Sequence, residues 1–189
     1  MTETPNPNIV DADSLTGEMH PIRRIVVALG SNLGERLTSL QGALDAIADT
    51  PDVWITAVSP VYETEPVDCP PDSKNFLNAV VLIDTALSPG RLMERALAIE
   101  DAFDRMRSDV RNAPRTLDVD LVIVGDRRHD DESLTLPHPR AAERAFVLQP
   151  WYDVEPDAEI PDAGPIVELL EQSDRSGLKK RDDLVLQVQ

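Results

Sequence analysis

Hydrophobic residues follow two different spacings along the middle of the chain, and these spacings predict its elements. Apolar and β-branched runs predict strands over 24–29, 53–62, 76–84 and 117–124. Apolar residues three and four positions apart predict one helix over 35–49 and a second that begins after Ser88, with Pro89 in its first turn. The order β-α-β-β-α-β is the ferredoxin-like pattern, in which two helices pack on one face of a sheet.

The flanking segments are less regular. After the fourth strand the pattern predicts a short strand at 133–136, a helix over 139–152 and a short helix near 165–172. Residues 1–22 hold four acids, three prolines and no Lys or Arg, which predicts a flexible acidic N-terminal tail. We therefore expect a single domain over 23–172, and then a C-terminal tail at 173–189 that is either poorly ordered or a late edge element.

Charge separates this chain from several functional classes. It has 35 acidic and 18 basic residues and a net charge of −17, which argues against nucleic-acid binding and against docking on an anionic membrane. The single cysteine, Cys69, cannot form an internal disulfide, and no apolar run reaches the ~18 residues of a membrane span. Because the N-terminus also lacks the features of a signal peptide, we expect a cytoplasmic monomer whose partners are small molecules.

Two aspartates in the fourth predicted strand carry the clearest chemical signal. The apolar residues that alternate along this strand are expected to face the core, namely Leu117, Val119, Leu121 and Ile123. Asp118 and Asp120 then share the other face, with Cα atoms ~6.5–7 Å apart. A divalent cation such as Mg²⁺ removes the repulsion between such carboxylates, and the same distance suits a two-metal site. Taken alone, the pair would more often be a solvated acidic edge strand.

Four arginines directly precede this pair and are opposed only by Asp109. They are Arg105, Arg107, Arg111 and Arg115. Because guanidinium groups match phosphate oxygens, the cluster and the carboxylates together supply what magnesium-polyphosphate chemistry requires. The alternative is a salt-bridged surface loop. His138 lies between two prolines and is able to donate to a phosphate oxygen, although a lone histidine is more often structural.

Six segments, in the right order, resemble the 6-hydroxymethyl-7,8-dihydropterin pyrophosphokinase family of folate biosynthesis. They are ALGSNLG (28–34), VSPVYETEPV (58–67), FLNAVV (76–81), PRTLDVDL (114–121), LTLPHPR (134–140) and ERAFVLQPW (143–151). The resemblance implies an α/β (α+β) fold with a central antiparallel sheet flanked by helices in three layers, α-β-α. It also implies that the β,γ-diphosphate of ATP passes to the hydroxymethyl group of the pterin, that AMP is released, and that two Mg²⁺ ions take part.

The resemblance also implies roles for individual residues. Asp118 and Asp120 match the ligands of both metal ions, and Arg105 and Arg115 match phosphate contacts on a loop that closes over the substrates; these four are the expected catalytic residues. Positions that match ATP contacts are Glu100, Arg107, Arg111, Arg115, Leu121, Thr135, His138 and Arg144. Positions that match pterin contacts, including two ring-stacking phenylalanines, are Thr64, Pro66, Val67, Phe76, Asn78 and Phe146.

Some residues depart from the family pattern, and other interpretations stay open. The family commonly has Trp-Gly where this chain has Asn112-Ala113, which removes an aromatic cap over the pterin and puts loop closure and affinity in question. Phe76 and Phe146 are also compatible with an ordinary core, and Asn78 with an edge-strand cap. The functional alternative is a pterin- or nucleotide-binding module without turnover, against which the intact carboxylates argue. A nucleotidyltransferase is excluded because the Gly-Ser and the carboxylate pair of such enzymes lie close together in sequence, whereas in this chain they are far apart.

Overall fold

The computed structural model describes residues 10–12, 19–66, 69–103 and 117–189. The strands are β1 (Val10–Ala12), β2 (Met19–Pro21), β3 (Arg23–Ser31), β4 (Val53–Val58), β5 (Tyr62–Thr64), β6 (Phe76–Thr85), β7 (Asp118–Val124), β8 (His129–Asp130), β9 (Thr135–Leu136), β10 (Glu159–Ile160), β11 (Gly164–Pro165) and β12 (Leu178–Lys180). The helices are α1 (Arg36–Ala48), α2 (Pro89–Ala102), α3 (Ala145–Val154) and α4 (Ile166–Gln172). A 3-10 turn at Ala141–Glu143 precedes α3.

Six of these strands form one antiparallel sheet in the order β12-β5-β6-β3-β7, with β4 paired to β6 beyond β5. The β-α-β-β-α-β core therefore has the strand order that the ferredoxin-like pattern requires. The sequence signal for one strand over 53–62 corresponds to two strands, because β4 pairs with the far half of β6 and β5 pairs with its first residues. The long central strands β3 and β6 carry apolar side chains on both faces, as expected for strands covered on both sides.

The sheet separates two apolar clusters, which gives the three layers. The first cluster lies under α1 and α2 and includes Leu29, Leu44, Val81, Ile99 and Val119. The second lies under α3 and α4 and includes Val26, Val80, Leu148, Trp151 and Ile166. Because successive strand residues point to opposite faces, the even-numbered residues near the end of β3 lie on the α3 side and the odd-numbered ones on the α1 side.

One expected side-chain direction is wrong. Ile123 was expected to share a face with Leu121, but it packs in the second cluster together with Val122. The pairing of β3 with β7 shifts between Val26 and Val27, which face Ile123 and Leu121 respectively. This bulge reverses the alternation only beyond residue 121. Asp118 and Asp120 lie before it and keep the expected direction.

Polar contacts fix α3 on the sheet. Arg24 donates to Asp84 on β6 at 2.6 Å and to Glu155, the C-cap of α3, at 2.8 Å, while the buried Trp151 donates its indole N–H to Glu155 at 2.9 Å. Tyr62 on β5 donates to Asp153 of α3, and burial together with this carboxylate raises the pKa of Tyr62. The helix is therefore attached to the sheet at two places, which determines where its N-terminal residues lie.

Candidate active site

Three neighbouring strands bring the two halves of the expected site together at Gly30. Gly30 on β3 pairs with Asn78 on β6 at one side and with Asp118 on β7 at the other. A Cβ atom at Gly30 would lie 3.3 Å from Asn78 Oδ1, 3.9 Å from Phe76 Cδ1 and 4.0 Å from Asp118 Cβ. Gly30 is buried and has no side chain, so only backbone separates a residue expected to bind the pterin from one expected to hold metal.

The acidic pair lies on the α3 face of β7, where both side chains are half-buried. Val119, between them, points into the first cluster, and its backbone N–H donates to Glu100 Oε1 at 2.9 Å. Glu100 lies in the last turn of α2 and is only 3% exposed. The helix therefore holds the backbone of β7 at the point between the two aspartates.

Arg144 joins the acidic strand to the aromatic side of the site. Its guanidinium Nη1 lies 3.9 Å from Asp120 Oδ2, and its Cζ lies 5.5 Å from the centroid of the Phe146 ring. Arg144 is the N-cap of α3, and its contact with Asp120 links the start of this helix to β7. The Asp120 side chain keeps 41% of its surface exposed, so this contact leaves its carboxylate accessible.

His138 has a defined proton position. Its backbone N–H donates to the carbonyl of Val122 at 2.8 Å, and Nδ1 accepts from the backbone N–H of Arg140 at 3.2 Å. The neutral ring therefore carries its proton on Nε2. Burial, together with the charges of Arg144 and Arg140, lowers the pKa of His138 to about 4. At neutral pH the ring is an uncharged donor through Nε2–H.

The pterin side of the expected site is built on β5 and β6. Asn78 is 5% exposed, and its Nδ2 donates to Thr64 Oγ1 at 2.9 Å. Thr64 pairs with Phe76 across the two strands. Because Asn78 lies inside a central strand, the edge-strand cap is the wrong interpretation. Phe76 and Phe146 are each only half-buried, which distinguishes them from the fully buried core residues.

Other predicted site residues lie apart from this cluster or outside the described residues. Leu121 is 5% exposed and packs in the first cluster, on the opposite face of β7 from the aspartates. Thr135 donates to Asp130 within the β8–β9 hairpin, and Pro66 is half-buried two residues after β5. The residues outside the described part of the chain are Val67, Arg105, Arg107, Arg111, Asn112, Ala113 and Arg115.

Two features of the site were not predicted from the sequence. Gly30 lies just after the strand predicted over 24–29, whereas it pairs within β3 on both sides. A glycine at the end of a buried strand often marks a close approach of backbone or ligand, and that signal was present. The bond between Glu100 and Val119 joins residues 19 positions apart, and no local pattern predicts it.

The donor set fits Mg²⁺. Within the described ranges, no group of three or more His, Cys, Asp or Glu side chains is arranged to hold a metal ion. A structural zinc site needs four such ligands, and calcium takes six to eight oxygens. Mg²⁺ commonly takes one or two carboxylates and completes its shell with water and substrate phosphates, which matches Asp118 and Asp120.

A ferredoxin-like sheet that carries paired aspartates one strand away from Asn78, with half-buried phenylalanines at the same site, is the arrangement expected of a phosphoryl-transfer enzyme that acts on a flat heterocycle. The family model described as 7,8-dihydro-6-hydroxymethylpterin-pyrophosphokinase (HPPK) matches residues 26–156. The chain belongs to this family.

Similar proteins agree with this assignment. The chain is 41% identical over 159 residues to the 2-amino-4-hydroxy-6-hydroxymethyldihydropteridine pyrophosphokinase of Pseudomonas aeruginosa, covering 84% of this chain and 97% of that protein. It is 40% identical over 158 residues to the protein of the same name from Methylorubrum extorquens, covering 83% of this chain and 98% of the relative.

A crystal structure of a Plasmodium falciparum HPPK-DHPS triple mutant with pteroate has the same fold. The TM-score is 0.65 at 14% identity, over 88% of this chain and 48% of that one. The chain thus spans about half the length of that structure. In the described part of this chain, no helix is both long and apolar enough to cross a membrane.

Proposed function

We propose that this chain transfers the β,γ-diphosphate of ATP to the hydroxymethyl oxygen of 6-hydroxymethyl-7,8-dihydropterin, releasing AMP, as a step of folate biosynthesis. Family membership supports the reaction. The structural observation that carries the proposal is the position of Gly30, which separates Asn78 from Asp118 by a single strand. A flat ring bound to Asn78 would therefore lie one strand away from the acidic pair.

Asp118 and Asp120 would hold two Mg²⁺ ions together with the phosphates of ATP. Bound Mg²⁺ supplies neutralisation of phosphate charge and lowers the pKa of a coordinated hydroxyl. The chain's own contribution is to fix the two carboxylates, through the strand that carries them and through the bond from Val119 to Glu100. Positioning and charge neutralisation account for most of the catalysis in phosphoryl transfer, so no covalent nucleophile is required.

Positive and donor groups for the nucleotide come from two segments. Arg144, which lies beside Asp120, and the Nε2–H of His138 are proposed to contact the nucleotide next to the acidic pair. Arg105 and Arg115, with Arg107 and Arg111, are proposed to bind the phosphates from the segment before β7. Glu100, Leu121 and Thr135 are proposed near the ribose and adenine; the buried position of Leu121 limits it to the wall of that pocket.

The pterin is proposed to lie between Phe76 and Phe146, with Asn78 bonded to its pyrimidine edge and Thr64, Pro66 and Val67 near by. Stacking on an aromatic ring contributes ~0.5–1.5 kcal/mol beyond area burial. The bond from Asn78 Nδ2 to Thr64 leaves Asn78 Oδ1 facing Gly30. That oxygen is an acceptor for the amino group of the pyrimidine ring.

The partners, location and oligomeric state of the chain are also proposals. The substrates are small molecules, and the net charge of −17 supports the absence of nucleic-acid and anionic-membrane partners. A cytoplasmic monomer is the simplest form compatible with these properties.

The test is formation of AMP from ATP and Mg²⁺, measured with and without the hydroxymethyl pterin, together with detection of the pterin diphosphate. We expect pterin-dependent AMP in a one-to-one ratio with the new diphosphate. Asp118→Asn should abolish it, whereas Asp126→Asn, an exposed aspartate in the turn after β7, should not. Binding of ATP and pterin without AMP formation would instead support the non-catalytic module.

A further inference from the structure

The segment after α4 is part of the sheet rather than a loose tail. Its strand β12 extends the edge beyond β5, with Leu178 paired to Thr64 and Lys180 paired to Tyr62. Arg181 continues the ladder by donating its backbone N–H to the carbonyl of Val61 at 2.8 Å. β12 and Arg181 lie outside the residues matched by the family model, which end at 156, whereas their partners on and beside β5 lie inside it.

One carboxylate in this region joins three separate parts of the chain. Glu63 Oε2 accepts from Arg181 Nη1 at 3.1 Å and from Arg36 Nη1, at the start of α1, at 3.0 Å. The same Arg36 nitrogen donates to the carbonyl of Asn75, the residue directly before β6, at 2.8 Å. We call Glu63, Arg36, Arg181 and the Asn75 carbonyl the Glu63 clasp. The side chains of its two arginines and its glutamate are 18–27% exposed, so the ion pairs are largely protected from solvent.

The segment that carries Arg181 is itself anchored. Asp183 binds the guanidinium of Arg181 through two oxygens, at 2.8 and 2.7 Å, which leaves Nη1 directed at Glu63. Farther along, Leu186 is 9% exposed in the first cluster. Gln187 and Gln41 of α1 exchange two hydrogen bonds, at 2.8 and 3.0 Å. Arg181 therefore reaches Glu63 from a fixed position.

The clasp borders the residues proposed to bind the pterin. Glu63 directly precedes Thr64, and Asn75 directly precedes Phe76, while Thr64 is bonded to Asn78. Displacement of β5 would move Thr64 and, through its side-chain bond, Asn78. We propose that Arg181, Glu63 and Arg36 are positioning residues of the pterin pocket, so that a segment beyond the family match helps to set pterin affinity. This inference rests on the proposed function.

The charges predict an order of effects. Removing Arg181 leaves Glu63 paired with Arg36, whereas neutralising Glu63 leaves two guanidinium groups side by side without their shared carboxylate. Like charges in such proximity repel, and the partly buried setting weakens screening by water. Glu63→Gln should therefore have a larger effect than Arg181→Gln. In the Glu63→Gln background, Arg181→Gln should restore part of the affinity, because it removes one of the two guanidinium groups that repel each other.

The experiment measures pterin affinity by calorimetric titration with a non-hydrolysable ATP analogue and Mg²⁺ present, and backbone amide exchange over 61–64 in the unliganded protein. Arg128→Gln is the matched control, because Arg128 also binds a carboxylate, Asp162, through two nitrogens but on an exposed part of the surface. We expect the pterin Kd to rise about threefold to tenfold for Arg181→Gln, and further for Glu63→Gln, with ATP affinity within about twofold of the unaltered protein. Amide exchange over 61–64 should accelerate in both variants, and Arg181→Lys should restore part of the affinity.

The outcomes separate this inference from the proposed function. An unaltered protein that fails to bind the pterin would overturn the proposed function and the pocket role with it. If the unaltered protein binds pterin but Glu63→Gln and Arg181→Gln match Arg128→Gln, only the positioning role is overturned. Faster exchange over 61–64 with unchanged pterin affinity would likewise overturn it, because the clasp would then stabilise the edge of the sheet without affecting the pocket.

Discussion

Replacing Glu100 with alanine tests whether α2 holds the acidic strand in place. Glu100 is 3% exposed, and its Oε1 accepts the backbone N–H of Val119 at 2.9 Å. Val119 is 5% exposed, so Glu100→Ala would leave a buried N–H without this acceptor. An unsatisfied buried donor costs ~1–3 kcal/mol. In a protein of this size a loss of about 2 kcal/mol lowers Tm by roughly 4–8 °C.

Glutamine at the same position separates the hydrogen bond from the charge. Glu100→Gln and Glu100→Ala both remove a negative charge near the proposed nucleotide site, but only alanine removes the acceptor. A neutral acceptor makes a bond of about half the strength of a charged one. We therefore expect Glu100→Gln to be intermediate in Tm. The affinity for Mg²⁺ and an ATP analogue should fall more in the alanine variant than in the glutamine variant, because displacement of Val119 moves Asp118 and Asp120.

Thermal unfolding and calorimetric titration measure these two effects. Glu94→Ala is the control, since Glu94 lies on the same helix with its side chain 75% exposed and only a 3.9 Å pair with Arg91. Exposed pairs of this kind contribute at most ~1 kcal/mol. If Glu100→Ala unfolds at the temperature of Glu94→Ala, or if the alanine and glutamine variants bind nucleotide equally, the hydrogen bond does not position the strand.

Three further predictions concern the site itself. Asp118→Asn and Asp120→Asn should each lower turnover at least ~100-fold with Tm nearly unchanged; near-normal turnover in either would refute the metal assignment. Gly30→Ala places a methyl group 3.3 Å from Asn78 Oδ1 and should raise the KM for pterin about tenfold while leaving the KM for ATP within about twofold; equal changes in both would contradict a pterin site next to Gly30. The pKa of His138 is lowered from 6.5 to about 4, so its contribution to stability is complete above pH 6.5 and is lost as the pH falls toward 4. Urea unfolding should show less loss of stability between pH 7 and 5 in His138→Gln, and an unchanged loss would contradict the half-buried neutral ring.

Much of the fold could be predicted because the strong patterns are local. The two long helices are recognisable from their apolar spacing, and Ser88 does cap α2, accepting from the backbone N–H of Arg91. The directions of Asp118 and Asp120 follow from strand alternation alone. The direction of Ile123 does not, because it depends on a bulge that arises from pairing with β3. Local pattern predicts an element and its faces only as far as the partner strand keeps register.

The candidate site likewise has a part that the sequence predicts and a part that it does not. Residue types with a clear chemical role, such as paired aspartates, can be recognised in the sequence. The contacts that position them join distant segments and cannot be recognised there. Glu63 illustrates this, since its two arginine partners are 27 positions before it and 118 positions after it. Its role is a property of the folded sheet edge, so the segment after α4 could not be distinguished from a tail by composition.

The register of β7 against β3 determines both the packing of the sheet and the position of the site residues. A slip of one residue between β7 and β3 would direct Asp118 and Asp120 into the first cluster, where unpaired carboxylates are strongly disfavoured, and would expose Val119. The apolar alternation of β7 therefore selects the register that also assembles the site. The bond from Glu100 acts on the same point, because it binds the N–H between the two aspartates. The register shift occurs at Val26 and Val27, beyond the pairs of Gly30 with Asp118 and Ala28 with Asp120. The bulge therefore changes side-chain directions only farther along β7, and the residues proposed to hold the metal keep theirs.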